Sequence, residues 1–161
     1  MAKSRPLSLP ALDPETVPAV SGSGYPEPYR AGVAGRAKRR IGNALGLNHF
    51  GVNLVRLAPG SASSQRHWHK AEDEFVYILE GEVELVTDAG AQTLTAGMAA
   101  GFPAGKPDGH HLVNRSQRDA LYLEVGDRRP ESDAAEYPDI DLRLVNRDGK
   151  LVFTRKDGKP W

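Results

Sequence analysis

The chain has 161 residues, the usual size of one domain, of which 39% are hydrophobic and 26% are charged. Basic and acidic residues total 21 each, so the net charge is zero and no global field attracts nucleic acid or an anionic membrane. Cysteine is absent, which excludes disulfides, thiolate metal sites and cysteine nucleophiles and favours a reducing compartment. Any metal ion must therefore be bound through nitrogen and oxygen atoms.

The sequence predicts neither a signal peptide nor a membrane-spanning helix. Lys3 and Arg5 lie near the N-terminus, but no apolar run of signal-peptide length follows them. No later stretch approaches the roughly 18 apolar residues of a membrane span. We expect a cytoplasmic protein that binds a small-molecule substrate, with neither nucleic acid nor membrane as a partner.

Residues 1–28 are predicted to form an extended arm. Six prolines and a Ser-Gly-Ser-Gly run at Ser21–Gly24 disfavour both a helix and the interior of a sheet. Residues 29–49 form a second segment, for which we predict a short helix or a loop. Its basic cluster contains Arg36, Lys38, Arg39 and Arg40. This cluster is either a solvated basic face or a contact for an anion or another subunit.

From residue 50 onward the pattern is typical of short strands. Runs rich in Val, Leu, Ile and Tyr are each closed by Gly, Pro, Asn or Asp, which indicates an all-β sandwich or barrel. We predict a barrel core at 50–126 and a C-terminal extension at 127–161 that contains a β-hairpin. The predicted strands are Gly51–Leu57, Glu74–Leu79, Glu82–Val86, Gln92–Thr95, Leu112–Asn114, Leu121–Val125, Asp141–Val145 and Leu151–Arg155.

Four of the five histidines fall into two tight clusters, His67-Trp68-His69 and His110-His111. Successive side chains of a strand point to opposite faces, so His67 and His69 share one face. Two imidazoles can thus reach one metal ion from a single strand.

Glu74 stands at the head of the apolar run that follows the first cluster. A buried carboxylate without a partner is costly, and metal ligation is one way to neutralise it. Three imidazoles and one carboxylate suit one divalent transition metal ion such as Fe, Mn, Ni or Zn. The neighbouring carboxylates Glu72 and Asp73 are interpreted as exposed turn residues, with Glu72 as an alternative base beside the metal.

These two blocks resemble the paired motifs of the cupin superfamily. The first motif has a Gly, two His separated by one residue, a Glu and a further Gly. It is matched here by Gly60, His67, His69, Glu74 and Gly81. Six residues separate Gly60 from His67 where the family usually has five, and the ligand spacing is unaffected.

The second motif is matched by Gly97, Pro103–Gly105, His110 and Asn114. The gap between the Pro-x-Gly and the His is four residues where two are usual, so the loop is longer than in the family. His111 therefore competes with His110 as the fourth ligand. We prefer His110 because its spacing to Asn114 matches and because His111 would point to the opposite face of a regular strand.

The resemblance implies an all-β double-stranded β-helix, a jelly-roll barrel, with the extended arm and the C-terminal hairpin added to it. It also implies a metal site formed by His67, His69, Glu74 and His110. Stand-alone cupins of this layout resemble small metal-dependent sugar isomerases, so a sugar phosphate isomerase is the first hypothesis. A non-haem iron dioxygenase and a non-catalytic metabolite-binding or sensor protein are the alternatives, because one fold hosts many chemistries.

An isomerase needs a group that moves a proton near the metal. Glu124 and Tyr122 lie two residues apart on one predicted strand, so both line the pocket if that face is inward. They are the catalytic candidates, and a rim carboxylate and a core tyrosine are the alternative interpretations. The resemblance also implies a homodimer, in which the arm and the C-terminal hairpin would cross the interface.

Overall fold

The structure, a computed structural model, describes residues 7–161, so the first six residues of the predicted arm lie outside the described residues. Strands predominate in this range, and the predicted all-β fold class is confirmed. The elements are β1 (Ala19–Ser21), β2 (Arg36–Arg39), α1 (Ile41–Ala44), β3 (Phe50–Leu57), β4 (Trp68–His69), β5 (Glu74–Glu80), β6 (Glu82–Thr87), β7 (Gly90–Thr95), β8 (Ala99–Phe102), β9 (His111–Val113), β10 (Ala120–Asp127), β11 (Ala135–Tyr137), β12 (Leu142–Arg147) and β13 (Lys150–Thr154). Single 3₁₀ turns lie at Pro14–Thr16 and Ala31–Val33.

The strands form three antiparallel sheets that together make a double-stranded β-helix. A six-stranded sheet has the order β1-β2-β3-β10-β5-β8, and the others have the orders β7-β6-β9 and β13-β12-β11-β4. A backbone bridge between His67 and His110 connects the two smaller sheets. The two histidine clusters therefore meet because this pairing is part of the fold.

The main core lies between the six-stranded and the three-stranded sheet. On β10 the burial alternates as a half-buried strand requires, with Ala120 and Tyr122 fully buried and Leu121 partly exposed. The buried members of this core are Val55, Leu57, Val76, Ile78, Val83, Leu85, Leu112, Ala120 and Tyr122. Each of these two sheets thus turns one apolar face inward. The polar residues on the inward faces form the candidate site.

The chain reverses between β5 and β6 at Gly81, which belongs to the first sequence motif. Gly81 has φ of 74°, a conformation that side-chain-bearing residues rarely adopt. A Cβ atom there would lie 2.8 Å from the carbonyl oxygen of Asp119. The turn therefore needs glycine both for its backbone angle and for its close approach to the neighbouring chain segment.

The basic cluster contains a strand where a short helix or loop was predicted. Arg36–Arg39 forms β2 and pairs with β1 on one side and β3 on the other, and the helix α1 begins only at Ile41. Arg36 and Lys38 lie two residues apart and therefore share one face of this strand. Its consequence is that Arg36 and Lys38 line the interior cavity.

The described part of the arm and the C-terminal hairpin pack against the protein's own body. Tyr25 contacts Phe153 of β13 with ring centroids 5.4 Å apart, and Tyr29 contacts Trp161 at the same separation. The predicted hairpin is present as β12 and β13. Both elements are thus engaged within the chain, and the homodimer stays a prediction. None of the helices in residues 7–161 has the length and apolar character needed to cross a membrane.

Candidate metal centre

The histidines and the glutamate of the two sequence motifs come together at one point of the barrel. His69 lies on β4, Glu74 opens β5, and His67 and His110 precede β4 and β9. One carboxylate oxygen of Glu74, Oε2, lies 2.9 Å from Nε2 of His110, 3.6 Å from Nε2 of His67 and 3.7 Å from Nε2 of His69. Three imidazoles therefore face one carboxylate.

Two of the three imidazoles are fixed through their Nδ1 atoms. Nδ1 of His67 lies 2.9 Å from the carbonyl oxygen of Gln65 and donates to it. Nδ1 of His69 donates to Oδ2 of Asp133 at 2.6 Å. A proton on Nδ1 leaves Nε2 of each ring with a free lone pair directed at the cluster. Metal-binding histidines in proteins are usually held in this way.

His110, and not His111, belongs to the cluster. The ring of His110 stacks on Phe102 with centroids 3.5 Å apart, and its Nδ1 has no hydrogen-bond partner among residues 7–161. His111 instead has its Nδ1 3.0 Å from the carbonyl oxygen of Ser64. The geometry agrees with the preference drawn from the spacing to Asn114.

The electrostatics of the cluster favour the protonation states that metal ligands need. Burial alone raises the pKa of Glu74, but the hydrogen bond from His110 and the nearby His67 and His69 outweigh it and lower that pKa to about 2. Burial lowers the pKa of His67 to about 4, so this ring is neutral near pH 7. A carboxylate and a neutral imidazole are the forms that bind a cation.

His69 differs from His67 in its charge environment. Burial lowers the pKa of His69, whereas the hydrogen bond to Asp133 raises it, and the pKa is raised overall. The same contact helps to lower the pKa of the Asp133 carboxyl, against the effect of burial. Asp133 is thus an ionised carboxylate that makes the His69 ring a stronger base.

The residues fit a single divalent transition metal ion. One ligand atom each from His67, His69 and Glu74 lies within 4.8 Å of the other two, and His110 joins them through its contact with Glu74. Imidazole nitrogen together with one carboxylate oxygen is a donor set of iron, manganese, nickel and zinc sites. A second such group, His69, Glu72 and Asp133, shares His69, and its Asp133 is already occupied in orienting that ring.

A cavity of about 140 Å³ extends inward from the cluster. His67, Glu74 and His110 line it at one end, and both catalytic candidates, Tyr122 and Glu124, line it as well. The strand β10 therefore turns the face that carries these two residues inward. The sequence-based expectation that both would line the pocket agrees with this placement, and their roles in catalysis stay a proposal.

Glu124 and Tyr122 have different surroundings. Glu124 Oε1 accepts hydrogen bonds from Nζ of Lys38 at 2.6 Å and from Nδ2 of Asn53 at 3.0 Å. The Tyr122 hydroxyl is fully buried and has no hydrogen-bond partner among residues 7–161. Burial, reinforced by the charge of Glu124, raises the pKa of Tyr122 well above its usual value. Tyr122 is therefore a hydrogen-bond donor and not a base near neutral pH.

Three residues of the site were not among the sequence-predicted site residues. Arg36 and Lys38 were interpreted as part of a surface or contact cluster, although their alternate spacing could have placed them on one face of a strand. Asp133 lies in the C-terminal extension, outside both motifs, and no local pattern marks it. Only the pairing of β11 with β4 brings its segment to His69.

Comparison with known proteins identifies the class to which this fold and site belong. A family model for the cupin domain matches residues 53–126. The crystal structure of a cupin-superfamily sugar phosphate isomerase from Silicibacter pomeroyi is 45% identical, with a TM-score of 0.89, over 94% of this chain and 96% of that one. The chain belongs to the cupin superfamily.

Two further structures extend the comparison. A protein proposed to be a sugar phosphate isomerase, from Acidithiobacillus ferrooxidans, is 29% identical with a TM-score of 0.70 over 76% of this chain and 77% of that one. The polyketide cyclase RemF from Streptomyces resistomycificus is 24% identical with a TM-score of 0.61 over 74% and 80%, which shows the shared fold alone. A comparison with curated protein sequences gave no significant match.

Proposed function

We propose that this protein is a metal-dependent isomerase that interconverts the aldose and ketose forms of a small sugar phosphate. The observation that carries the proposal is the cavity in which three of the four predicted metal ligands and the pair Glu124 and Tyr122 face one another. The similarity to the isomerase from Silicibacter pomeroyi over nearly the whole chain supports it.

His67, His69, Glu74 and His110 would hold one divalent transition metal ion. When bound, such an ion polarises a carbonyl group and the hydroxyl beside it. The isomerisation moves one proton from the carbon that bears the hydroxyl to the former carbonyl carbon, and a second proton passes between the two oxygen atoms. Neither an external oxidant nor a reductant is needed.

Glu124 is proposed as the group that carries the proton between the two carbons. Its carboxylate lines the cavity that contains His67, Glu74 and His110, and Lys38 and Asn53 hold it in one orientation. A base held in place contributes typically 10²- to 10⁴-fold to the rate. Tyr122, which keeps its proton, would donate a hydrogen bond to an oxygen of the substrate.

The test is an isomerase assay on a panel of tetrose, pentose and hexose phosphates after loading with Mn, Fe, Ni or Zn. The expected result is turnover of at least one substrate that disappears on chelation and returns with metal. Inactivity on the whole panel would contradict the proposal. Parallel measurements separate the alternatives, because oxygen uptake with Fe(II) indicates a dioxygenase, and stabilisation by a ligand without turnover indicates a binding protein.

A further inference from the structure

We infer that Arg36, Lys38 and Tyr122 form a subsite at the inner end of the cavity that binds the phosphoryl group of the substrate. The inference rests on the proposed function for the identity of the whole molecule. The subsite itself concerns only the binding of an oxyanion by three side chains. It also fixes an orientation, with the phosphoryl group inward and the carbonyl end toward the predicted metal ligands.

Three buried side-chain atoms on residues that line the cavity lack a hydrogen-bond partner among residues 7–161, and two of them belong to residues other than the predicted metal ligands. Within residues 7–161, the Tyr122 hydroxyl and Nε of Arg36 are buried and make no hydrogen bond. A buried donor without an acceptor costs about 1 to 3 kcal/mol, so two of them on residues that line one cavity indicate a site built for an acceptor that arrives with a ligand. Tyr122 is fully buried, and a phenylalanine in its place would avoid the cost.

The charge of the inner end suits an anion. The guanidinium of Arg36 is anchored by donating to the carbonyl oxygens of Ser63 and Gly22, and its Nε–H is buried without an acceptor among residues 7–161. Lys38 uses one of its three N–H donors on Glu124 and keeps two. The subsite thus offers two cationic groups and one neutral hydroxyl, and donors of these types bind phosphoryl oxygens in proteins.

The register of the sheet gives the order of the groups along the cavity. Gly126 of β10 lies opposite Glu74, and Glu124 and Tyr122 follow at successive inward-facing positions, each step about 7 Å along the strand. In the same sheet, Lys38 of β2 pairs with Val55 of β3, which is also the partner of Tyr122, and Arg36 lies one step further along β2. The predicted metal ligands, the base and the anion donors thus follow in that order.

The outer cleft, of about 410 Å³, is the competing position for the phosphoryl group. Its charged lining consists of three cations and four carboxylates: Lys38, Arg40, Arg128, Glu72, Glu74, Glu124 and Asp127. Arg128 already donates to the carbonyl oxygen of Leu47 at 2.7 Å and to Asn43. Acidic side chains thus outnumber cationic ones in the outer cleft, whereas Arg36 and Lys38 balance Glu74 and Glu124 in the cavity, and the observations favour the inner end.

The experiment measures the binding of inorganic phosphate to the metal-free full-length protein by calorimetry and by ³¹P NMR. Tyr122→Phe removes only the hydroxyl oxygen, and the expected result is phosphate affinity lower by about tenfold with a melting temperature that is unchanged or higher. Arg36→Met is expected to weaken phosphate binding by more. Arg56→Met is the matched control, because Arg56 lies on the neighbouring strand β3 and its exposed side chain pairs with Asp119.

Equal phosphate affinity in the wild type, Tyr122→Phe and Arg36→Met would overturn the inference, as would an equal loss in Arg56→Met. Acetate serves as a second probe, and tighter binding of acetate than of phosphate would contradict the phosphoryl assignment in favour of a carboxylate. Phosphate binding is measured without metal or turnover, so it can succeed where the isomerase assay fails. Conversely, turnover with phosphate affinity unaffected by Tyr122→Phe would refute the subsite alone.

Discussion

Oδ2 of Asp133 accepts a hydrogen bond of 2.6 Å from Nδ1 of His69, and this contact joins the C-terminal extension to the candidate metal centre. The Asp133 side chain is almost fully buried, and its second oxygen accepts from the backbone N–H of Ala71 at 3.0 Å. The carboxylate therefore fixes both the tautomer of the ring and the segment of chain that follows it.

The first prediction concerns this carboxylate. In Asp133→Asn the side chain keeps its shape but loses the charge that orients and strengthens His69 as a base, so metal affinity should fall by about 10- to 100-fold. Titration of the metal-free protein with Zn or Mn under a competing chelator measures the change.

The control for Asp133→Asn is Asp139→Asn. Asp139 also forms an ion pair, but its partner is Arg66 at 2.7 Å and not a histidine of the cluster, and its side chain is half exposed. The control should retain wild-type metal affinity. If the two variants bind metal equally well, Asp133 does not support the centre.

The second prediction concerns the ligands themselves. Protein grown with ample transition metal should contain close to one ion per chain, and His67→Ala, His69→Ala, Glu74→Ala and His110→Ala should each lower that content strongly, because each removes one donor. Metal analysis by mass spectrometry on the purified proteins gives the stoichiometry.

His111→Ala is the matched control for the ligand variants, since His111 is the sequence neighbour of His110 and turns its Nδ1 to the carbonyl of Ser64. It should keep its ion. A loss of metal in His111→Ala together with retention in His110→Ala would assign the fourth position to the other residue.

The third prediction is the pH dependence of the metal-free protein. Burial lowers the pKa of His67 to about 4 from its ordinary value of 6.5. Between these values the unfolded chain binds the proton and the folded chain does not, so stability rises with pH and is lost on acidification through this window. The loss is at most about 1.4 kcal/mol per pH unit, or roughly 4 °C in melting temperature.

Most other groups near the site act outside that window or add to the same trend, whereas Glu72, whose pKa burial raises from its ordinary value of 4.5, opposes it. The lowered pKa of Glu74 acts below its ordinary value of 4.5, and the raised pKa of His69 acts above 6.5. His111, whose pKa burial lowers, contributes in the same direction as His67. Melting temperatures measured in chelator between pH 6.5 and 4.5 should fall less steeply for His67→Gln than for the wild type. Identical slopes would show that His67 is not a buried neutral ring.

The barrel and the metal-ligand cluster could be predicted from the sequence because their signals are local. Period-two alternation and turn residues mark β3, β5 and β10, and two short motifs place the histidines and Glu74 at strand ends. Strands such as β8, Ala99–Phe102, escaped prediction because small residues and glycine carry little hydrophobic pattern.

The remainder of the site depends on pairings between distant segments, which no local pattern encodes. Arg36 and Lys38 face the cavity only because β2 adds to the edge of β3. Asp133 reaches His69 only because β11 pairs with β4. The charge of a residue is visible in the sequence, whereas the face that it occupies follows from tertiary structure.

The fourth prediction concerns Glu124 and the proposed proton transfer. In Glu124→Gln the side chain retains its volume, and its amide oxygen can still accept from Asn53, but it can no longer take up a proton. We expect kcat to fall by about 10²- to 10⁴-fold, while KM and metal content change little. Loss of the ion pair also lowers stability, because both side chains are only about a fifth exposed and Lys38 loses the partner of its largely buried charge.

Glu84→Gln is the matched control for Glu124→Gln. Glu84 pairs with Arg115 at 2.7 Å, and its side chain is 28% exposed against 23% for Glu124, but it does not line the cavity. The control should keep full activity, so a difference between the two variants isolates the position of the carboxylate from the loss of an ion pair. If Glu124→Gln retains wild-type kcat on a substrate that the panel has identified, the proton is carried by another group, and Glu72 beside His69 becomes the next residue to replace.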